Sequence, residues 1–95
     1  MNYIRFKKNI LYVGSLSVNR ILKKNKTPFY CYSLEQLKEN YFAIKNAFKE
    51  VNPIICFSVK SNSNLYILRE LKKLGAGADV VSIGELLKAT RAGIK

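Results

Sequence analysis

Apolar positions fall into short runs near the N-terminus and into a regular alternation of runs and stripes further on. Ile10, Leu11, Tyr12 and Val13 make a run suited to a short strand. The stretch before it, residues 1–8, is polar and basic, and periodicity through residue 26 is weak. Val18, Ile21 and Leu22 would share one face of a helix over residues 17–24. Thr27-Pro28 then breaks the chain, because proline disfavours helix in the residue before it. The aromatic run Phe29-Tyr30-Cys31-Tyr32 reads as a strand.

From Ser33 the pattern sharpens. Ser33 followed by Gln36 has the form of a capping box. Leu34, Leu37, Tyr41, Ile44 and Phe48 recur at spacings of three and four, which predicts one apolar stripe on a helix that Asn52-Pro53 ends. Residues 54–59 are a continuous apolar strand of the kind buried on both faces of a parallel sheet. A polar turn, Ser61 to Asn64, leads into a helix over residues 65–74 with Leu68 and Leu71 inward, and Gly75 stops it. Residues 78–82 form the next strand. Ser82 and Glu85 make a second capping box, and a helix follows through Leu86, Leu87 and Ala89 to a stop at Gly93. Ile94-Lys95 would begin another strand.

Strands alternating with helices of this length imply βαβ units, hence an α/β fold with a parallel sheet. A (β/α)8 barrel takes about 250 residues. With 95 residues the chain is expected to hold only the first units of such a barrel, as a fragment of a longer protein. Its organisation is expected to be an N-terminal segment over residues 1–32 and barrel units over residues 33–95.

Composition narrows the function. Hydrophobic residues make up 48% of the chain, which is globular material rather than a disordered tail. No run approaches the roughly 18 apolar residues of a membrane span, and residues 10–13 are too short for a signal peptide, so a cytoplasmic protein is expected. Cys31 and Cys56 stand far apart with no histidine anywhere. That excludes a zinc site built on them and predicts two buried free thiols in a reducing compartment. The net charge of +11 raises nucleic acid as a partner. Against it, the lysines spread along the chain, and no arginine-rich run interleaves with aromatics. A solvated basic surface is the better account, with a basic binding module kept as the alternative.

The chemistry concentrates at Lys60. On a strand over residues 55–60, Cys56, Ser58 and Lys60 would share the small, polar face, and Ile55, Phe57 and Val59 the bulky one. The C-terminal ends of parallel strands carry the active sites of such folds. A lysine there is placed to act as a nucleophile, although by position alone a lysine after a strand is an ordinary solvated loop residue.

Phe57-Ser58-Val59-Lys60-Ser61-Asn62-Ser63-Asn64 resembles the strand-end motif of the alanine-racemase-like, fold-type III pyridoxal-phosphate enzymes, in which an aromatic-small-Val-Lys-small-Asn run carries the cofactor lysine. Residues 65–68, the run Gly75-Ala76-Gly77-Ala78-Asp79-Val80-Val81-Ser82, and Gly84-Glu85-Leu86 look like the continuation of that set in the group's amino-acid decarboxylases. Residues 9–13 and 27–33 are similar to the opening of the diaminopimelate decarboxylases among them. The resemblance implies a (β/α)8 barrel and a Schiff base between Lys60 and pyridoxal 5'-phosphate. It implies decarboxylation of meso-2,6-diaminopimelate to L-lysine and CO2 by a homodimer. The bound partner would be a small amino acid, not nucleic acid or membrane. Decarboxylases of arginine, ornithine or a carboxylated polyamine are the nearest alternative.

The resemblance also assigns roles. It places an acid at Asp79, close to the cofactor lysine, where position alone would allow a solvent-facing aspartate. It places another at Glu85, whose position also fits the capping box. Ser82 reads as the cap and Asn62 as a turn residue, while Cys56 and Ser58 form at most the pocket floor. Ser58 and Ser61 depart from the family, which more often has alanine there. The phosphate loop, the ring-binding residues and the substrate residues are expected beyond Lys95, and the strand at residues 29–32 is expected to join a C-terminal β-domain.

Overall fold

A computed structural model describes residues 2–95. The chain divides into two compact units, with the division after Asn40.

The first unit is built on an antiparallel meander of β1 (Ile4–Lys7), β2 (Ile10–Val13) and β3 (Leu16–Ser17). β1 was not expected from its basic composition. It forms because Ile4 and Phe6 alternate with Arg5 and Lys7, and because Lys8 and Asn9 both take positive φ, 50° and 63°. Two such residues make the tight turn whose twist suits a hairpin, and Lys7 pairs with Ile10 across it. A second tight turn at Gly14 (φ 62°) brings Leu16 back opposite Val13. The Gly14 N–H donates to the Tyr3 carbonyl at 2.6 Å, and Arg5 Nη1 donates to the Gly14 carbonyl at 3.2 Å. The Tyr3 hydroxyl bonds to Glu39, whose carboxylate holds Tyr3 above its ordinary value of 10.0.

The helix expected over residues 17–24 is shorter, α1 (Val18–Leu22). Ser17 has left the helix to cap it, its Oγ accepting from the Arg20 N–H at 3.2 Å, and the Asn25 side chain closes the other end on the Ile21 carbonyl at 3.0 Å. Residues 29–32, expected as a strand, pair with no other described residue. A strand requires a ladder, and here the Tyr30 and Tyr32 rings stack on each other at 6.3 Å instead.

Ser33 starts α2 (Leu34–Ala47), which runs across the division between the units. Its capping box is half made. Ser33 Oγ accepts from the Gln36 N–H at 3.2 Å, but the Gln36 side chain turns forward to Asn40 at 2.9 Å. The expected stripe buries only Tyr41; Ile44 and Phe48 are exposed. A 3-10 turn (Lys49–Val51) and a left-handed Asn52 end this segment.

The second unit holds the βαβα order read from the sequence. β4 (Cys56–Ser58) leads through a 3-10 turn (Val59–Ser61) to α3 (Leu65–Leu74), then β5 (Gly77–Asp79) and α4 (Ile83–Arg91). β4 and β5 are parallel, with Cys56 opposite Gly77, Phe57 opposite Ala78 and Ser58 opposite Asp79. Both strands are shorter than expected: β4 begins only at Cys56, where its pairing with Gly77 starts, and ends before the turn at Val59, and β5 ends at Asp79. The core is Val59, Leu68, Ala89, Ala92 and Ile94, with Phe57, Leu65, Ala78 and Val80 packed against it. Val59 and Leu68 are fully enclosed; each such side chain contributes about 1.5–3 kcal/mol of burial free energy. Leu68 and Leu71 face inward, as their spacing predicts.

Two glycines shape this unit, the first by its backbone and the second by what lies beside it. Gly75 ends α3 at φ 98°, its N–H bonding back into the helix while the Ala76 N–H reaches the Leu71 carbonyl at 3.1 Å. At Gly77 a Cβ would lie 2.9 Å from Cys56 Sγ, so a larger residue there would require the exposed Cys56 side chain to turn away. Ile94, where a further strand is expected to open, closes the end of α4: its N–H reaches the Ala89 carbonyl at 3.0 Å after the left-handed Gly93, and its side chain enters the core. Cys31 and Cys56 are both free thiols but exposed, not buried as expected.

Candidate active site

Lys60 is carried by the 3-10 turn that follows β4, so it does not continue the alternation that would have put it on one strand face with Cys56 and Ser58. The chain turns because Val59 is drawn fully into the core, which leaves the next side chain facing out. The turn is closed by the Asn62 N–H donating to the Val59 carbonyl at 3.1 Å and by Ser61 Oγ donating to the Ser58 carbonyl at 2.7 Å. Lys60 is exposed, and among the described residues it forms no ion pair.

Asn62 is a turn residue, as expected. Its Oδ1 accepts from the Asn64 N–H at 3.1 Å, and Asn64 in turn caps α3 by accepting from the Tyr66 N–H at 2.9 Å. Two successive side-chain caps convert the end of β4 into the start of α3 within a few residues.

Asp79 ends β5, directly across the ladder from Ser58. Its Oδ2 accepts a hydrogen bond from Ser58 Oγ at 3.1 Å. The acid expected beside the lysine is therefore engaged by the last serine of β4, two positions before the lysine. Glu85 makes the first half of its capping box, its N–H donating to Ser82 Oγ at 3.1 Å, while its Oε1 reaches one residue past the cap and accepts from the Val81 N–H at 3.2 Å. The carboxylate thus holds the loop between β5 and α4. It also suits the positive end of the helix. Lys88 on α4 donates to Ser63 Oγ at 3.1 Å, tying α4 to the loop that follows Lys60.

The arrangement is a primary amine at the C-terminal edge of a parallel strand pair, with one carboxylate on the neighbouring strand and a second at the head of the next helix. Such an amine can condense with an aldehyde, and such carboxylates can stabilise or move a proton. Both the Ser58–Asp79 and the Ser63–Lys88 bonds were missed from sequence. The first depends on a register linking positions 21 apart, and the second joins positions 25 apart. Among the described residues no group of three or more His, Cys, Asp or Glu gathers as metal ligands would, and no helix is long and apolar enough to cross a membrane.

Comparison with known proteins places this geometry. The chain is similar to the diaminopimelate decarboxylase of Helicobacter pylori strain J99, 51% identical over 74% of this chain and 17% of that protein. It is similar to the enzyme of the same name from Haemophilus influenzae, 40% identical over 98% of this chain and 22% of that protein. Among solved structures it resembles the diaminopimelate decarboxylase of M. jannaschii in co-complex with L-lysine, at a TM-score of 0.91 and 35% identity, over 98% of this chain and 23% of that one. The chain thus spans about a fifth of the length of the relatives it matches. Its α/β class is the one expected from the sequence, and it overlays on part of these decarboxylase structures. Residues 34–95, which hold Lys60, Asp79 and Glu85, match the pyridoxal binding domain of the pyridoxal-dependent decarboxylases, and the chain belongs to that family.

Proposed function

We propose that the protein carrying this chain decarboxylates meso-2,6-diaminopimelate to L-lysine and CO2, with Lys60 as the residue that holds pyridoxal 5'-phosphate. The observation that carries this reading is an exposed lysine on a turn at the C-terminal end of a parallel strand, inside the segment matched by a pyridoxal binding domain. The relatives bearing the substrate's name, and the solved relative in co-complex with L-lysine, support this substrate over arginine, ornithine or a carboxylated polyamine.

The residues present fit the cofactor at one point, its attachment. An exposed amine held by a doubly closed turn is accessible and fixed in position. When bound, pyridoxal phosphate supplies an aldehyde carbon for an amine and a ring that takes up the electrons left as CO2 departs. Lys60 would contribute the amine that holds the group, and as an ammonium it would keep the proton it gains on release. Asp79, on the adjacent strand, is the carboxylate that steadies the resulting ammonium. Glu85 holds the loop after β5 through Val81 and so fixes the wall of the site beside Asp79. Ser82 caps α4, and Asn62 shapes the turn. The same reading assigns residues 33–95 to the first units of the barrel and residues 29–32 to a strand of a C-terminal β-domain, in a cytoplasmic homodimer.

The test is release of CO2 from meso-2,6-diaminopimelate by the complete gene product, compared with arginine and ornithine. Lys60→Ala is expected to abolish turnover, and undiminished turnover in that variant would sink the assignment.

A further inference from the structure

The turn that carries Lys60 is shaped locally and anchored from a distance. Ser61 Oγ donates to the Ser58 carbonyl and the Asn62 N–H to the Val59 carbonyl, bonds between near neighbours in the chain. They set the form of the turn, not its place in the unit. Its place is set by α4. Val59 is enclosed in one core with Ala89 and Ala92, and Lys88, beside Ala89, donates from Nζ to Ser63 Oγ at 3.1 Å. Among the described residues, no other side-chain hydrogen bond ties residues 59–64 to an element beyond β4 and α3, which flank them.

We infer that Lys88 is a positioning residue, whose bond to Ser63 keeps the loop after Lys60 seated on α4 and so fixes where the lysine amine meets the cofactor's aldehyde carbon. The role rests on the reading of Lys60 as the cofactor lysine. Glu85 and Lys88 are close enough in sequence to meet on the surface of α4. Each reaches for a loop instead, Glu85 for the Val81 N–H after β5 and Lys88 for Ser63 after Lys60. One turn of helix thereby holds both loops at the C-terminal edge of the strand pair in a single frame. Ser63 is half-buried and Lys88 exposed, so water competes for the bond and its effect is modest. What the bond removes is freedom of the loop, and condensation of an amine with an aldehyde depends on how the two are oriented.

The test uses the complete gene product freed of its cofactor. Pyridoxal phosphate is added and the rate at which visible absorbance rises is followed, with urea unfolding measured on the same samples. Lys88→Met, which keeps the apolar stem and removes the donor, is expected to slow the rise about threefold and to leave the unfolding midpoint in place. Ser63→Ala, which removes the acceptor and leaves the charge, is expected to slow it equally, and the double variant no further. Lys88→Arg, which keeps a donor, is expected to keep the parent rate. A parent-like rate in Lys88→Met would overturn the inference. So would slowing in Lys88→Met without slowing in Ser63→Ala, which would make the charge and not the bond the cause. Slowing that comes with a lowered midpoint would overturn it too, as a general loosening of the fold. Lys60→Ala tells the two readings apart. Absorbance that still rises in that variant overturns Lys60 as the cofactor lysine, and the role of Lys88 with it. Absorbance lost there, beside a parent-like rate in Lys88→Met, overturns the role of Lys88 alone.

Discussion

The two units are held by different means. In the first, among the described residues, no apolar side chain is buried; the meander rests on two tight turns and short-range hydrogen bonds. In the second, nine apolar side chains are buried, and the helices are set by what they enclose. The same contrast appears between single helices. α2 has 14 residues and buries one, while α3 has ten and buries four. Regular spacing is therefore enough to make a helix, but only enclosure fixes where its face goes, and Lys60 is positioned by the enclosed part.

The contrast can be broken most sharply at Leu68. Leu68→Ala empties the centre of the core and is expected to cost about 3 kcal/mol. Amide hydrogen exchange in α3 and α4 should accelerate together, with exchange in the β1–β2 hairpin unchanged. Equal acceleration in the hairpin would show that the two units do not open separately.

The opposite manipulation belongs to the first unit. Lys8 holds a left-handed conformation that costs an ordinary side chain about 1–2 kcal/mol. Replacing the turn by Lys8→Asn together with Asn9→Gly supplies the favoured pair for this geometry and is expected to slow hairpin exchange by an amount equivalent to about 1 kcal/mol. The smallest effect is expected at Phe6, a large apolar residue that lies 73% exposed on β1. Phe6→Ala should stay within about 0.5 kcal/mol of the parent in the same exchange measurement. A larger loss there would mean that the hairpin has a covering partner in the complete protein.

Legibility in the sequence follows the same division. The βαβα order, the inward Leu68 and Leu71, the stop at Gly75 and the cap at Ser82 were all readable, because period, capping and left-handed glycine are local signals. The hairpin at Lys8-Asn9 was not, because its turn lacks the glycine that usually marks such a loop. The strand over residues 54–59 was overextended because apolar composition does not reveal where a strand turns, and Val59 turns it by entering the core. At the site, Lys60 was found by its motif, whereas the partner of Asp79 was hidden, since a cross-strand bond exists only once Ser58 and Asp79 share a register. The burial expected for the cysteines failed for a related reason: an apolar neighbourhood in sequence is not a covered position in space.

Those cysteines have a practical consequence. Cys31 lies in the first unit and Cys56 in the second, and both thiols are free and exposed. Within this chain, Cys56→Ala leaves Cys31 and Cys31→Ala leaves Cys56 as the thiol to which a maleimide dye can be attached. A dye at residue 31 would then report the aromatic stretch around Tyr30 and Tyr32. A dye at residue 56, seated against Gly77, would report the pairing of β4 with β5 just below Lys60. The chain thus offers one thiol handle in each unit, one for each way in which its structure is held.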